Sequence, residues 1–147
     1  MIYFDTSALA KKYLKKEKGR KKVIELLESN PERLVSSALT QLEIISALTR
    51  RRKEIAGFGR AIEAFATDWD TFFIWAIDNE VIDDAIGLIG LYGLKAADAI
   101  HLATARNIRR HIKDQVLVVT SGHELLSAAV KDYPFWMRKQ NDILKGI

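Results

Sequence analysis

The chain contains no cysteine. Disulfides, thiol catalysis and thiolate zinc sites are therefore excluded. No basic leader precedes the strand-like run after Met1, so no signal peptide is expected. No apolar run approaches the roughly 20 residues needed to cross a bilayer, so no membrane association is expected and the cytosol is the expected compartment. A strong excess of one charge is also missing: 23 Lys and Arg stand against 19 Asp and Glu, a net charge of +4. That permits a nucleic-acid partner without demanding one. No linker, repeat or low-complexity segment breaks the chain. At 147 residues and 48% apolar composition, residues 1–147 are expected to form a single domain with a sizeable core.

What is present is an alternation of short apolar runs and helical patterns. Ile2–Phe4, Leu34–Ser36, Phe72–Trp75 and Val116–Val119 read as buried strands, with Phe135–Met137 as a short last one. Helical periodicity covers residues 8–14, a segment around Val23–Leu27 ending near Ser29-Asn30-Pro31, and Leu39–Arg52, where Leu42, Ile45 and Leu48 share a stripe. It continues over Arg60–Asp68, Glu80–Tyr92 closed by Gly93, Ala97–Arg109 and His123–Val130. Strands separated by helices predict an α/β fold with a parallel sheet covered on both faces. Trp69, Phe72, Phe73 and Trp75 read first as core, and Tyr13, Trp69, Phe73 and Trp136 as the apolar residues available to an oligomer surface.

The basic residues fall in three groups: Lys11 to Lys22, Arg50–Lys53, and Arg106, Arg109, Arg110, His111 and Lys113. Each is either a phosphate-holding patch or a solvated, ion-paired helix face.

Acids recur at the ends of the apolar runs. Asp5 ends the first strand, Glu43 lies in the first turns of the helix after the second, and Asp98 is near the start of the helix before the fourth. In open parallel sheets ligands sit beyond the carboxyl ends of the strands. There, three distant acids can meet with helix N-termini nearby. Each has a plainer reading. Asp5 or Ser7 caps the following helix, Thr40-x-x-Glu43 matches a capping box, and Asp98 compensates a helix dipole. His101 reads as a satisfied helix histidine, or faces the same cavity as Asp98. An all-oxygen set favours Mg²⁺ or Mn²⁺ over zinc.

Together the segments Asp5-Thr6-Ser7-Ala8-Leu9, Leu39-Thr40-x-x-Glu43 and Leu94-x-x-x-Asp98-Ala99-Ile100-His101-Leu102-Ala103-Thr104-Ala105 resemble the three leading motifs of PIN-domain proteins. The resemblance runs in order over essentially the whole chain. Its compact form is similar to the VapC-type toxins of toxin–antitoxin pairs. The resemblance implies a three-layer, Rossmann-like α/β/α sandwich, Mg²⁺- or Mn²⁺-dependent ribonuclease activity and a homodimer. It implies Asp5, Glu43 and Asp98 as catalytic, metal-holding acids, with Thr6 and Ser7 supporting them. It also implies an antitoxin protein whose peptide lies beside the acidic groove.

One motif departs. After Val116–Val119 come Thr120-Ser121-Gly122-His123-Glu124, and the family commonly has aspartate where Gly122 stands. Glu124 is the candidate replacement as a metal ligand, and Thr120 and Ser121 are candidates for orienting a ligand water. Arg106, Arg109 and Arg110 are candidates for holding substrate phosphates. The expected reaction is hydrolysis of single-stranded or loop RNA by in-line attack of water, leaving a 5′-phosphate and a 3′-hydroxyl. The alternative is a non-catalytic or weakly active RNA-binding or adaptor module on the same fold. A phosphatase using Asp5 as nucleophile is disfavoured, because such enzymes need a second acid at position 7 and Ser7 stands there.

Overall fold

The apolar run behind Met1 becomes β1 (Ile2–Phe4), the strand on which the sheet is built. In the computed structural model, which describes residues 1–14 and 16–132, β1 pairs in parallel with β2 (Leu34–Ser37) on one side and β4 (Leu117–Val119) on the other. β3 (Phe73–Trp75) pairs with β2 at the edge, so the order is β3-β2-β1-β4. Tyr3 is in register with both Val35 and Val118.

Successive side chains on a strand point to opposite faces, and the sequence uses both. Ile2, Phe4, Leu34 and Val119 enter one core with Leu9, Val23, Ile44, Leu48 and Phe65. These come from α1 (Thr6–Leu9), α2 (Arg20–Ser29), α3 (Ala38–Arg50) and α4 (Phe58–Trp69). Tyr3, Val35 and Val116 pack on the other face against Ala105 and Ile108. Those belong to α6 (Ala96–Ile112), which joins α5 (Asn79–Tyr92) and α7 (His123–Asp132) in a further core cluster. The result is the expected three-layer α/β/α sandwich with a parallel sheet.

The path of the chain fixes where a site can form. From β1 it moves outward to β2 and β3, then returns to lay β4 on the opposite side of β1. The carboxyl ends of β1 and β4 therefore flank a topological switch point, where open α/β sheets leave a crevice.

Several local expectations change in the structure. α1 is a single turn followed by a 3-10 turn at Ala10–Lys12. α6 runs on to Ile112 and ends at Lys113, which takes a left-handed conformation with φ 51°. Gly93 closes α5 with φ 66°, as a left-handed cap requires. The stripe on α3 is Thr40, Ile44 and Leu48, a spacing of four, whereas Leu42 is 70% exposed and Ile45 is also exposed. The capping box does not form: Ser37 caps α3 by accepting the Leu39 N–H at 3.0 Å. Thr40 is buried against the Ser36 hydroxyl at 2.8 Å, and Glu43 is free of the helix end. Tyr13 and Trp69 are core residues, not oligomer surface, and Trp69 stacks on Phe72. Phe73, on the edge strand, is exposed. The expected strand at Phe135–Met137, and Trp136 with it, lie outside the described residues. No described helix is by itself long and apolar enough to cross a membrane.

The register of α3 is directly testable. Ile44→Ala is expected to cost about 2–5 kcal/mol of unfolding free energy, and Leu42→Ala no more than about 0.5 kcal/mol. Urea denaturation of the two variants checks this, and equal losses would contradict the observed helix face.

Candidate active site

Asp5 follows β1 directly. Its N–H donates to the Val119 carbonyl at 3.1 Å, which ties the end of β1 to the end of β4. Its side chain is the N-cap of α1, because Oδ1 accepts the Ala8 N–H at 2.9 Å. The Ser7 hydroxyl lies 2.9 and 2.8 Å from the two carboxylate oxygens, and the Thr120 hydroxyl donates to Oδ2 at 2.7 Å. Asp5 is 2% exposed. Burial pushes its pKa above the ordinary value, and His101, Thr120, Ala8 and Ser7 offset that rise only in part.

Glu43 reaches the same edge from the second turn of α3. Its Oε2 accepts from the Thr6 hydroxyl and from His101 Nε2, the latter at 2.8 Å. Partial burial raises the pKa of Glu43, but the bonds from His101 and Thr6 outweigh it and the net shift is downward. His101 is 3% exposed, and its Nδ1 lies 2.7 Å from the Tyr3 hydroxyl.

Asp98, in the first turn of α6, is half-buried. Its side chain makes no hydrogen bond among the described residues. Burial first, then the carboxylates of Glu124 and Glu43, raise its pKa; His101 and Lys95 pull it down. A Cβ built at Gly122 would stand 4.0 Å from Asp98 Oδ1 and 3.4 Å from Thr120 Oγ1. His101 lowers the pKa of Asp5, Glu43 and Asp98 alike. The structure thus brings all three acids to the switch-point edge, around one buried histidine.

Among the described residues no three acidic or histidine side chains stand close enough to hold an ion directly. The chemistry of the set nevertheless fits a hard, partly hydrated cation. All three acids offer oxygen, and Asp98 has its full hydrogen-bonding capacity unspent. Both bonds to Glu43 land on Oε2, so Oε1 is open. The Ser121 hydroxyl, just past the end of β4, is buried and has no partner among the described residues.

Other expected site residues fall in different places. Thr6, Ser7 and Thr120 support the acids as hydrogen-bond donors. The Ser121 N–H donates to Ser7 Oγ at 2.9 Å. Glu124 is exposed, 4.0 Å from Lys95 Nζ, and reaches Asp98 through its charge. Arg106 is drawn to Asp84 and Asp132, both at 3.2 Å, and Arg110 to Asp84 at 3.5 Å. Arg109 is likewise engaged. Arg106 lies eight residues past Asp98, about 12 Å along the helix axis. Tyr3 was not legible as a site residue. Its one signal is a polar-tipped aromatic at the middle of the strand that delivers Asp5.

Two outcomes follow from the electrostatics. The native pKa of Asp98 lies above its unfolded value of 3.8. Its contribution to stability is complete only below that value and is lost as pH rises through the native pKa. In chelator at neutral pH, Asp98→Asn is therefore expected to raise the melting temperature, with the gain shrinking as pH falls toward 3.8; calorimetry across pH checks it. Gly122 does not have a positive φ, so a side chain is not strained there. Gly122→Asp is expected to lower stability in chelator and to tighten Mn²⁺ binding, whereas Glu124→Gln changes stability by no more than about 0.5 kcal/mol. Metal titration with thermal melts on both variants checks this.

The family model of the PIN domain matches residues 2–131. Among solved structures, the fold is similar to a toxin–antitoxin complex from Klebsiella pneumoniae, with a TM-score of 0.62 and 24% identity over 92% of this chain and 92% of that one. No curated protein matches. The profile spans both strands of the switch point and all three acids, and the chain belongs to the PIN domain family.

Proposed function

We propose that this protein is a Mg²⁺- or Mn²⁺-dependent endoribonuclease that cuts single-stranded or looped RNA, and that it is the toxin of a VapC-type toxin–antitoxin pair. The observation that carries the reading is the meeting of Asp5, Glu43 and Asp98 around His101 at the switch-point edge. PIN domains are generally nucleases. The structural neighbour is a toxin–antitoxin complex, which supports an antitoxin as partner here.

In this reading Asp5, Glu43 and Asp98 hold the cation directly or through waters. A bound divalent ion would supply an activated water and charge neutralisation at the phosphoryl group. The remaining work falls to the chain. Ser7 and Thr120 fix the Asp5 carboxylate, Thr6 fixes Glu43, and the unpartnered Ser121 hydroxyl is placed to orient a water. The end of β4 and the first turns of α1, α3 and α6 form the floor on which a flexible strand lies.

The phosphate backbone would be held by a surface that the sequence presents as two separate clusters. Glu17 pairs with Arg51 at 3.1 Å, which brings the basic stretch before α2 beside the end of α3. Lys16, Lys18, Lys21, Lys22, Arg50 and Lys53 are exposed there. Arg50 is seven residues past Glu43, about 10 Å along the helix axis. Arg106 and Arg110 are drawn into ion pairs with Asp84 and Asp132, and this reading does not rely on them to hold phosphate. A homodimer is part of the same reading. The apolar face open to it is Ile82, Ile86 and Ile89 of α5, all exposed. A monomer at micromolar concentration in sedimentation would remove that part.

A non-catalytic RNA-binding or adaptor module is the second reading. Gly122 at the position of the family's fourth acid favours it. Cleavage of structured RNA with Mn²⁺ separates the two. Wild-type cleavage is expected, with Asp98→Asn and Glu43→Gln at least about 100-fold slower, a loss worth about 2.7 kcal/mol. Equal cleavage by all three proteins would point to contamination and leave the enzyme reading without support. RNA binding tests the surface: Arg50→Gln and Lys53→Gln are each expected to reduce the slope of log K against log salt by about 0.7. Arg110→Gln is expected to leave that slope unchanged.

A further inference from the structure

We infer that His101, itself anchored by Tyr3, is the positioning residue that presents Glu43 to the cation, a role that rests on the metal-dependent reading above. An ionised carboxylate can only accept hydrogen bonds. The ring nitrogen facing Glu43, Nε2 at 2.8 Å, must therefore carry the proton. In the neutral ring that this inference assigns, Nδ1 is bare and accepts the O–H of Tyr3, 2.7 Å away. Both ring nitrogens are spent, so the tautomer and the plane of the ring are fixed together.

The anchor is rigid. Tyr3 has no exposed surface and sits at the centre of the sheet, in register with both neighbouring strands. Its ring meets the imidazole edge-on at 6.1 Å and 63°. Rigidity therefore passes from β1 through Tyr3 and His101 to Glu43, a side chain on a different helix. Thr6 supplies a second donor to the same oxygen. With two donors on Oε2, Oε1 is the oxygen that Glu43 has left for a cation. Donors behind a metal ligand of this kind are worth about 10–100-fold in metal affinity. Neither His101 nor Tyr3 touches the cation or the reacting atoms.

The test uses the full-length protein and Mn²⁺ itself, together with ¹⁵N spectra of the histidine ring recorded without Mn²⁺. In the wild type, His101 is expected to show a protonated Nε2 and a bare Nδ1. Tyr3→Phe keeps the ring volume and deletes one hydroxyl. It is expected to mix the tautomers and weaken Mn²⁺ binding about tenfold. His101→Leu is expected to weaken it by about 10–100-fold. His101→Gln, whose amide N–H can still donate to Oε2, is expected to recover most of the loss. A proton on Nδ1 in the wild type, or unchanged Mn²⁺ affinity in Tyr3→Phe, would overturn the assignment. Should His101→Leu fail to fold, Tyr3→Phe and His101→Gln decide the matter. Because no readout is cleavage, a protein that binds Mn²⁺ in this way yet cuts no RNA sinks the nuclease reading alone. A wild type that binds no Mn²⁺ sinks both.

Discussion

A carboxylate at the end of β1 is almost completely removed from water, and the site depends on how that is tolerated. Asp5 is 2% exposed, and an ionised group there persists only if both oxygens find donors. The donors come from two directions. The Ala8 N–H and the Ser7 hydroxyl belong to the helix that follows β1, while the Thr120 hydroxyl belongs to the end of β4. Satisfying Asp5 therefore links two strands that are adjacent in space and 115 residues apart in sequence. Thr120 also accepts the Gly122 N–H at 2.9 Å, so the same hydroxyl shapes the entry to α7. The cap that starts α1 and the contact that closes the crevice are one network.

Topology then decides which other groups share that edge. α3 begins where β2 ends, and α6 returns over the opposite face of the sheet from α3. Their early turns converge beyond β1 and β4 from the two layers. Glu43 and Asp98 arrive from different sides, and each raises the cost of ionising the other. The structure answers this unevenly. Glu43 receives donors and its pKa falls, whereas Asp98 receives none and its pKa rises. The least satisfied acid is thus the one beside Gly122, where a cation would relieve it most.

The strands, the helix order and the parallel sheet were legible because they depend on periodicity and on turn residues, which are local. Ile2–Phe4 and Gly93 are clear cases. The candidate acids were legible as positions, since strand ends and first helical turns can be marked on a sequence. Their partners were not. Thr40-x-x-Glu43 satisfies a local capping pattern, but Ser37 sits one residue before α3 with a hydroxyl able to cap it. The helix started there and released Glu43 to a bond with a residue 58 positions away. The register of α3 shifted for a related reason. Thr40 is buried through a hydroxyl bond to Ser36, which an apolar-stripe reading passes over. The basic clusters show the same limit. Charge runs look alike in sequence, yet Arg106 meets Asp84 and Asp132 while Lys53 meets solvent.

Gly122 gives these observations a common direction. An acid there would add a fourth negative group 4.0 Å, measured from its Cβ, from a carboxylate whose pKa is already raised. Without it the edge carries less repulsion. It also offers a cation less charge. A site with fewer charges must rely more on the direction of the oxygens it has, because each misaligned donor is a larger share of the total. That places weight on the buried struts behind the acids, Ser7 and Thr120 behind Asp5, and Tyr3 with His101 behind Glu43. Asp98 has no such strut. The two braced acids define a fixed half of the site, and the unbraced one supplies the adjustment that a hydrated ion of uncertain radius would need.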